Sequence, residues 1–204
     1  MIAIIDVTGH NVTSLVNSIH HLGFDCMLTH SHEKIINASH VILPGVGTAV
    51  NAMQALHDYD LVKLIQQLHQ PLLGICLGMQ RLFEYSEEGS VIGLGLLKGN
   101  VQRLPKIAGF SLPHIGWNSL HWSHNSLLQK EIDSDSYLYF MHGFAVQPVE
   151  STIATCHYGT NFSAIVYKNN VCGMQFHPEK SSMVVLKLLK NFLTWGAYEN
   201  YTGY

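Results

Sequence analysis

The sequence carries little charge. Only 12% of its 204 residues are Asp, Glu, Lys or Arg, and the formal net charge is −3 with histidine neutral. It has no basic run, which argues against nucleic acid as a partner. It also has no stretch near the roughly 20 apolar residues that cross a bilayer. "MIAIID" lacks the basic segment of a secretory signal, and Asp6 interrupts its apolar start. These absences predict a cytoplasmic protein that engages neither membrane nor nucleic acid.

Cysteine is also scarce. The four cysteines, Cys26, Cys76, Cys156 and Cys172, form no C-x-x-C pair, so a disulfide framework is not expected in a chain of this size. Histidine is more abundant, with 14 residues, but its spacing offers no third ligand for a metal. We therefore expect neither a metal nor a cofactor.

The sequence does contain enough apolar residues, 47%, to fill a core. In the first half, β-type runs such as 2–6 and 40–47 alternate with helical patterns at 48–70, in two pieces, and at 77–89. Strands that alternate with helices are typical of a parallel sheet covered by helices.

The second half has β-type runs at close spacing and "KNN" at 168–170 as a hairpin connection, followed by a helix at 181–195. Together the halves predict an α/β fold: a mixed, largely parallel central sheet flanked by helices, with additional β-hairpins in the C-terminal half. No linker separates two units, so we expect residues 1–204 to form one domain, with 196–204 as a loose tail.

The stretch "LLGICLGMQ" at 72–80 sets Cys76 between two glycines, after a strand pattern and before a helical one. This is the arrangement of a nucleophile elbow, with cysteine in place of serine. The positive end of the following helix stabilises a thiolate, and the N–H of Leu77 would face the same space. On its own, however, the stretch more often marks a buried thiol packed at a tight turn.

A base for such a thiol occurs in "GMQFHPEKS" at 173–181. His177 and Glu179 lie two residues apart, which places them on the same side of an extended chain. Pro178 biases His177 toward that extended backbone, so Glu179 can hold the imidazole in one tautomer. Alone, the pair reads more often as a strand-end histidine beside a solvated glutamate. Together with Cys76 it favours a nucleophile, base and orienter.

A third stretch, "LPGVGT" at 43–48, ends a strand in a glycine-bearing turn. Such a turn can direct backbone N–H groups at developing negative charge. It lacks the Lys-Ser/Thr ending of a phosphate-binding loop, and by itself it is an ordinary strand-to-helix turn.

"PGVGT", "GICLGMQ" and "GMQFHPEKS", in this order, resemble the class I (triad) glutamine amidotransferases. "LPHIGWN" at 112–118 narrows the resemblance to those that serve as glutaminase subunits of imidazole glycerol phosphate synthase. The resemblance implies that Cys76 attacks the side-chain amide of L-glutamine to form a thioester. It further implies that His177 acts as base and acid and that Glu179 orients it.

The resemblance also implies three further sets of residues. The oxyanion hole is expected from the backbone of Gly45, Val46, Gly47 and Leu77. Contacts to glutamine are expected from Gln80, His142, Gly143 and Phe144. The partner, a (β/α)8-barrel synthase subunit in a heterodimer, is expected to face Asn11, Trp117, Asn118 and Lys180. In the family that partner receives the ammonia and makes imidazole glycerol phosphate and aminoimidazole carboxamide ribotide for histidine biosynthesis.

Two stretches depart from the family pattern. "DVTGHN" stands at 6–11 where the family often has "DYGxGN", and "MHGF" stands at 141–144 where it usually has "HSY". Two alternatives stay open on the sequence. One is a paralogous glutaminase that feeds a different synthase, such as a surface-sugar amidating enzyme. The other is a docking or regulatory module with a silent pocket.

Overall fold

A computed structural model of the chain describes residues 1–6, 12–45, 47–123, 126–133, 136–177 and 183–195. In chain order the elements are β1 (Ile2–Ile5), α1 (Thr13–His21), β2 (Cys26–Thr29), α2 (His32–Ile36), β3 (His40–Leu43), α3 (Ala49–Asp58), α4 (Leu61–Gln66), β4 (Leu72–Ile75), α5 (Leu77–Gln80), β5 (Tyr85–Ser86), β6 (Val91–Ile92), β7 (Asn100–Arg103), β8 (His114–Ser119), β9 (His121–Trp122), β10 (Tyr137–His142), β11 (Phe144–Val146), β12 (Thr152–Tyr158), β13 (Thr160–Lys168), β14 (Val171–Met174) and α6 (Met183–Thr194). A short 3-10 helix lies at Leu127–Gln129.

These strands form an eight-stranded central sheet in the order β2-β1-β3-β4-β14-β13-β12-β9. The strands from β2 to β14 are parallel, and β13, β12 and β9 are antiparallel to their neighbours. The predicted mixed, largely parallel sheet is therefore confirmed. Two smaller sheets, β11-β7-β5-β6 and β10-β8, come from the part of the sequence with closely spaced strands, except for β5, which lies in the stretch predicted as a helix.

Successive strand residues supply the two faces of the sheet. Ile2 and Ile4 of β1 pack in the core cluster that includes α1 and α6. Ala3 and Ile5 pack in the cluster that includes α2, α3 and α4. Because adjacent side chains on a strand point to opposite faces, a short run of buried β-type residues is the pattern expected of a strand covered on both sides.

Local signals explain several element boundaries. The helical pattern at 48–70 does break into two pieces, because Asp60 has a left-handed backbone with φ 54° between α3 and α4. Thr48 caps α3 by accepting a hydrogen bond from the N–H of Asn51. The predicted hairpin at 168–170 is also present: Asn169 has φ 54° between β13 and β14.

The predicted helix at 77–89 is wrong beyond Gln80. α5 ends there, and Tyr85 and Ser86 form a strand of the four-stranded sheet. The reason is a set of non-local hydrogen bonds: the carbonyls of Leu82, Phe83 and Glu84 accept from the N–H groups of Leu97, Gly95 and Gly93. These bonds satisfy the backbone without a continued helix, which a local periodicity cannot reveal.

None of the helices in the described ranges is long and apolar enough to span a bilayer. The expected loose tail at 196–204 lies outside the described residues, and the division of the chain into one domain stays a prediction.

Candidate active site

Three adjacent parallel strands end at the same edge of the central sheet. β3 leads into Pro44 and Gly45, β4 leads into Cys76, and β14 leads toward His177. The carboxyl ends of neighbouring parallel strands are where α/β proteins bind ligands. The fold thus gathers three stretches that are far apart in the sequence.

The turn at Cys76 is strained. Its backbone has φ 51° and ψ −114°, a region that costs a non-glycine residue about 1–3 kcal/mol. The N–H of Cys76 donates to the carbonyl of Met174 at 2.7 Å, which holds the turn against β14. The cysteine occupies the predicted elbow, directly before α5.

The glycines around the elbow are needed for close backbone contact. A Cβ on Gly78 would lie 1.9 Å from the carbonyl oxygen of Leu43, and a Cβ on Gly45 would lie 2.4 Å from the amide nitrogen of Leu77. Contacts of that length are impossible, so the turn after β3 and the elbow pack together only because both positions are glycine.

This packing brings Gly45, Gly47 and Leu77 to the wall of one cavity of about 650 Å³. Three of the four predicted oxyanion-hole residues therefore lie together. Val46 is outside the described residues. The direction of these N–H groups relative to a bound substrate stays a prediction.

Cys76 and His177 line the same cavity. Both are largely buried, with 7% of each residue exposed. The N–H of His177 donates to the carbonyl of Tyr139 at 3.2 Å, which ties this segment to β10. The structure brings the predicted nucleophile and base together, whereas Glu179 lies outside the described residues and its orienting role stays a prediction.

Gln80 lines the cavity and is engaged inside the protein. Its side-chain amide nitrogen donates to the carbonyl of Phe144 at 2.8 Å and to Oε1 of Gln175 at 2.9 Å. Both amide hydrogens are thereby used, which leaves only Oε1 to accept from a ligand. The amide nitrogen of Gln175 lies 3.7 Å from Sγ of Cys76.

His142, which lines the cavity, forms a buried pair with His114. Nδ1 of His142 lies 2.9 Å from the carbonyl of Phe144, and its Nε2 lies 3.3 Å from Nδ1 of His114. Burial lowers the pKa of His142 to about 3, opposed by the Phe144 carbonyl and assisted by His114 and His177. Burial also lowers the pKa of His114 to about 4. Both imidazoles are therefore neutral near pH 7.

The carbonyl of Phe144 accepts from both Gln80 and His142. Its lone pairs are thus occupied, and the carbonyl of Gly143 accepts from the N–H of Leu104. His142, Gly143 and Phe144 all line the cavity. We expect this segment to contact a ligand through N–H groups rather than through the Phe144 carbonyl.

The residues predicted to face the partner differ in exposure and in the hydrogen bonds that they make. Trp117 is 53% exposed, whereas the half-buried Asn118 uses its side chain to donate to the carbonyl of His157 at 2.8 Å. Asn11 and Lys180 lie outside the described residues.

Two residues near the site were missed by the sequence reasoning. Gln175 is completely buried between Gln80 and Cys76. Its place two residues before His177, on the same side of an extended chain, was an available signal. Arg81 is buried directly after α5, and only its position in an apolar stretch hinted at this. Among the described residues, no group of three His, Cys, Asp or Glu side chains is placed to hold a metal.

A cysteine on a strained strand-to-helix turn, in one cavity with a histidine and backed by glycine turns, is the arrangement expected of a thiol-dependent enzyme on an α/β fold. The family model described as "Glutamine amidotransferase class-I" matches residues 3–194. The chain belongs to the class I glutamine amidotransferases.

Relatives with assigned names indicate which class I glutamine amidotransferases the chain is similar to. The chain is 50% identical to imidazole glycerol phosphate synthase subunit HisH 2 of Legionella pneumophila (strain Paris) over 194 residues, which cover 95% of this chain and 98% of that protein. It is 45% identical to the HisH subunit of Haemophilus influenzae over 192 residues, covering 94% and 96%. Among solved structures, PurLQS from Thermotoga maritima superposes with a TM-score of 0.70 at 19% identity, covering 95% of this chain and 97% of that chain. This last similarity shows the fold alone.

Proposed function

We propose that the chain hydrolyses L-glutamine to glutamate and ammonia and supplies the ammonia to the synthase subunit of imidazole glycerol phosphate synthase, in the cytoplasm. The observation that carries the proposal is Cys76, held at a strained elbow in the same cavity as His177. The HisH names of relatives near 50% identity support the particular synthase over a surface-sugar amidating enzyme.

The proposed chemistry begins when His177 takes the proton of the Cys76 thiol. The thiolate attacks the carboxamide carbon of glutamine, and the backbone donors near Gly45 and Leu77 receive the resulting oxyanion. His177 then gives its proton to the departing nitrogen, the C–N bond breaks, and ammonia leaves a thioester on Cys76. Losing one such oxyanion donor typically raises the barrier by about 2.7–4 kcal/mol.

Water completes the cycle. His177 takes a proton from water as the water oxygen attacks the thioester carbon. The C–S bond then breaks to release glutamate, and His177 returns the proton to the sulfur to restore the thiol. Glu179 orients His177 through this sequence, as the order of residues 177–179 predicts. Because Cys76 and His177 are largely buried, the reacting groups are shielded from bulk water, which limits the loss of ammonia.

An exposed apolar face next to the cavity suits the partner. β8 and β10 present Ile115, Trp117, Tyr137 and Met141, which are 41–60% exposed. The register pairs Met141 with Ile115, and Met141 also lines the cavity. A patch of this kind on a polar surface marks a protein interface. We place the (β/α)8-barrel subunit of the heterodimer over this face, where ammonia from the Cys76 cavity would reach it.

The test compares Cys76→Ala with Cys156→Ala, because Cys156 is a buried thiol in β12 that does not line the cavity. We expect Cys76→Ala to abolish glutamate release from glutamine in the complex, while Cys156→Ala retains it. The Cys76→Ala complex should still make product from added ammonium salt, because only the ammonia source is lost. Without the barrel subunit, we expect the wild-type chain to be a poor glutaminase. Full glutamine-dependent turnover by Cys76→Ala would refute the assignment.

A further inference from the structure

Arg81 is a cation buried beside the proposed active site. It lies at the end of α5 and is only 3% exposed. Within the described ranges, no carboxylate comes within ion-pair distance of its guanidinium, and its Nη1 is buried without a hydrogen-bond partner. A buried charge without a counter-ion is expensive. Its presence therefore calls for a compensating interaction at this point of the fold.

The guanidinium joins the two segments that border the cavity. Nη2 donates to the carbonyl of Pro44, and Nε donates to the carbonyl of Leu77 at 3.4 Å. Pro44 belongs to the turn after β3, and Leu77 directly follows Cys76. One side chain therefore connects the turn to the elbow helix.

The contact with Pro44 also sets the direction of a backbone donor. The carbonyl of Pro44 and the N–H of Gly45 share one planar trans peptide bond, in which the two groups point in opposite directions. When Arg81 holds that carbonyl inside the protein, the Gly45 N–H must point away from Arg81. Gly45 lines the cavity, so the peptide is restrained before any substrate binds.

Charge supports the same conclusion. Burial lowers the pKa of Arg81 to about 10, and the negative charge of a Cys76 thiolate raises it. At pH 7 the guanidinium is thus still protonated. The bond to the Pro44 carbonyl therefore comes from a charged donor, which is stronger than a bond from a neutral one.

We propose that Arg81 is a positioning residue of this site: it fixes the Pro44–Gly45 peptide against the elbow and thereby sets the direction of the Gly45 N–H. The inference rests on the proposed role of Cys76 as nucleophile. It assigns Arg81 no contact with glutamine.

The experiment uses Arg81→Met, which removes both hydrogen bonds, and Arg81→Lys, which keeps a cation but loses the planar fork that reaches two carbonyls. Lys63→Met, at an exposed position of α4, is the matched control. The first readout is amide hydrogen exchange of the Gly45 N–H in the free chain, followed on the peptide that contains it. We expect exchange to be about tenfold faster in both Arg81 variants, because the Pro44–Gly45 peptide loses its restraint, and to change less than about threefold in Lys63→Met.

The second readout is glutaminase kcat in the complex with the barrel subunit. We expect kcat to fall at least about tenfold in both Arg81 variants, with KM within about threefold, because a misdirected oxyanion donor acts on the transition state. Unchanged exchange of the Gly45 N–H, or unchanged kcat, in either folded Arg81 variant overturns the positioning role. If Arg81→Met does not fold, Arg81→Lys decides: it must show faster exchange and a lower kcat, and any other result counts against the proposal.

Hydrogen exchange also distinguishes this inference from the proposed function, because it needs no turnover. A wild-type chain whose Gly45 N–H exchanges more slowly than that of Arg81→Met, but whose complex releases no glutamate, would contradict the glutaminase assignment and leave the positioning role of Arg81 standing. Equal exchange in wild type and Arg81→Met, with normal glutamate release by wild type, would contradict the role of Arg81 alone.

Discussion

The buried pair of His114 and His142 predicts that the folded chain is sensitive to mild acid. The carbonyl of Phe144 can only accept, so Nδ1 of His142 carries the hydrogen in that 2.9 Å contact. Nε2 of His142 is then the acceptor for the Nδ1 hydrogen of His114, 3.3 Å away. Protonation of His142 would place two donors against each other. The ring of His114 also stacks on Tyr158 with centroids 3.8 Å apart, and its burial lowers its pKa.

The magnitude follows from the pKa difference between the folded and unfolded chain. The pKa of His142 falls from 6.5 to about 3 and that of His114 from 6.5 to about 4 on folding, in both cases through burial. Below pH 6.5 these two histidines bind protons in the unfolded chain but not in the folded chain. The free energy of unfolding therefore falls as the pH drops from about 6.5 toward 4. At pH 5 the loss is about 2 kcal/mol for each histidine, a large part of a typical 5–15 kcal/mol.

The assay is urea unfolding of the purified chain at pH 7.5 and pH 5. We expect the wild type to lose about 4 kcal/mol over this interval if the two histidines act independently, and His114→Phe, which keeps the ring contacts, to lose about half as much. His57→Asn is the control, because His57 is exposed on α3. Buried His40 has its pKa lowered as well, so the comparison between variants isolates the pair. Equal free energies of unfolding at the two pH values would refute the reasoning.

Three further predictions concern packing, thiol chemistry and the partner. Gly78→Ala should lower the free energy of unfolding by about 3 kcal/mol, since its Cβ would meet the Leu43 carbonyl at 1.9 Å. Gly143→Ala, whose Cβ meets nothing closer than 3.8 Å, should leave the free energy of unfolding unchanged. Equal stability of the two variants would contradict the packing argument. Burial raises the pKa of Cys156 to about 12, so this thiol should resist iodoacetamide at pH 8 in the folded chain and react in urea; fast labelling of folded protein would count against it. Trp117→Ala should weaken the affinity for the barrel partner about tenfold or more, as loss of an exposed aromatic anchor does. Leu28→Ala, at an exposed position of the far edge strand β2, should leave the affinity unchanged. Equal affinities of the two variants would show that the β8–β10 face is not the interface.

Sequence reasoning succeeded where the signal is local. The spacing of apolar residues located the strands and helices, and the two glycines around Cys76 predicted a sharp turn that the structure places at φ 51°. It failed at 77–89, where a helical period was outweighed by backbone bonds to residues 93–97. Hydrogen bonds to a segment further along the chain do not change the spacing of apolar residues at 77–89, so this spacing could not show that the helix ends early.

Arg81 and Gln175 show the same limit at the site. Neither residue stands out in its own segment of the sequence. Each is placed near Cys76 only because the parallel order of β3, β4 and β14 brings three strand ends together. That order also explains why the strained elbow persists. The backbone strain of Cys76 is local, but the hydrogen bonds that oppose its relaxation involve other segments. The carbonyl of Met174 accepts from the Cys76 N–H, and Arg81 donates to the nearby Pro44 carbonyl. The geometry of Cys76 therefore depends on three strands together, and a substitution in any one of them should alter the chemistry of a cysteine that it does not touch.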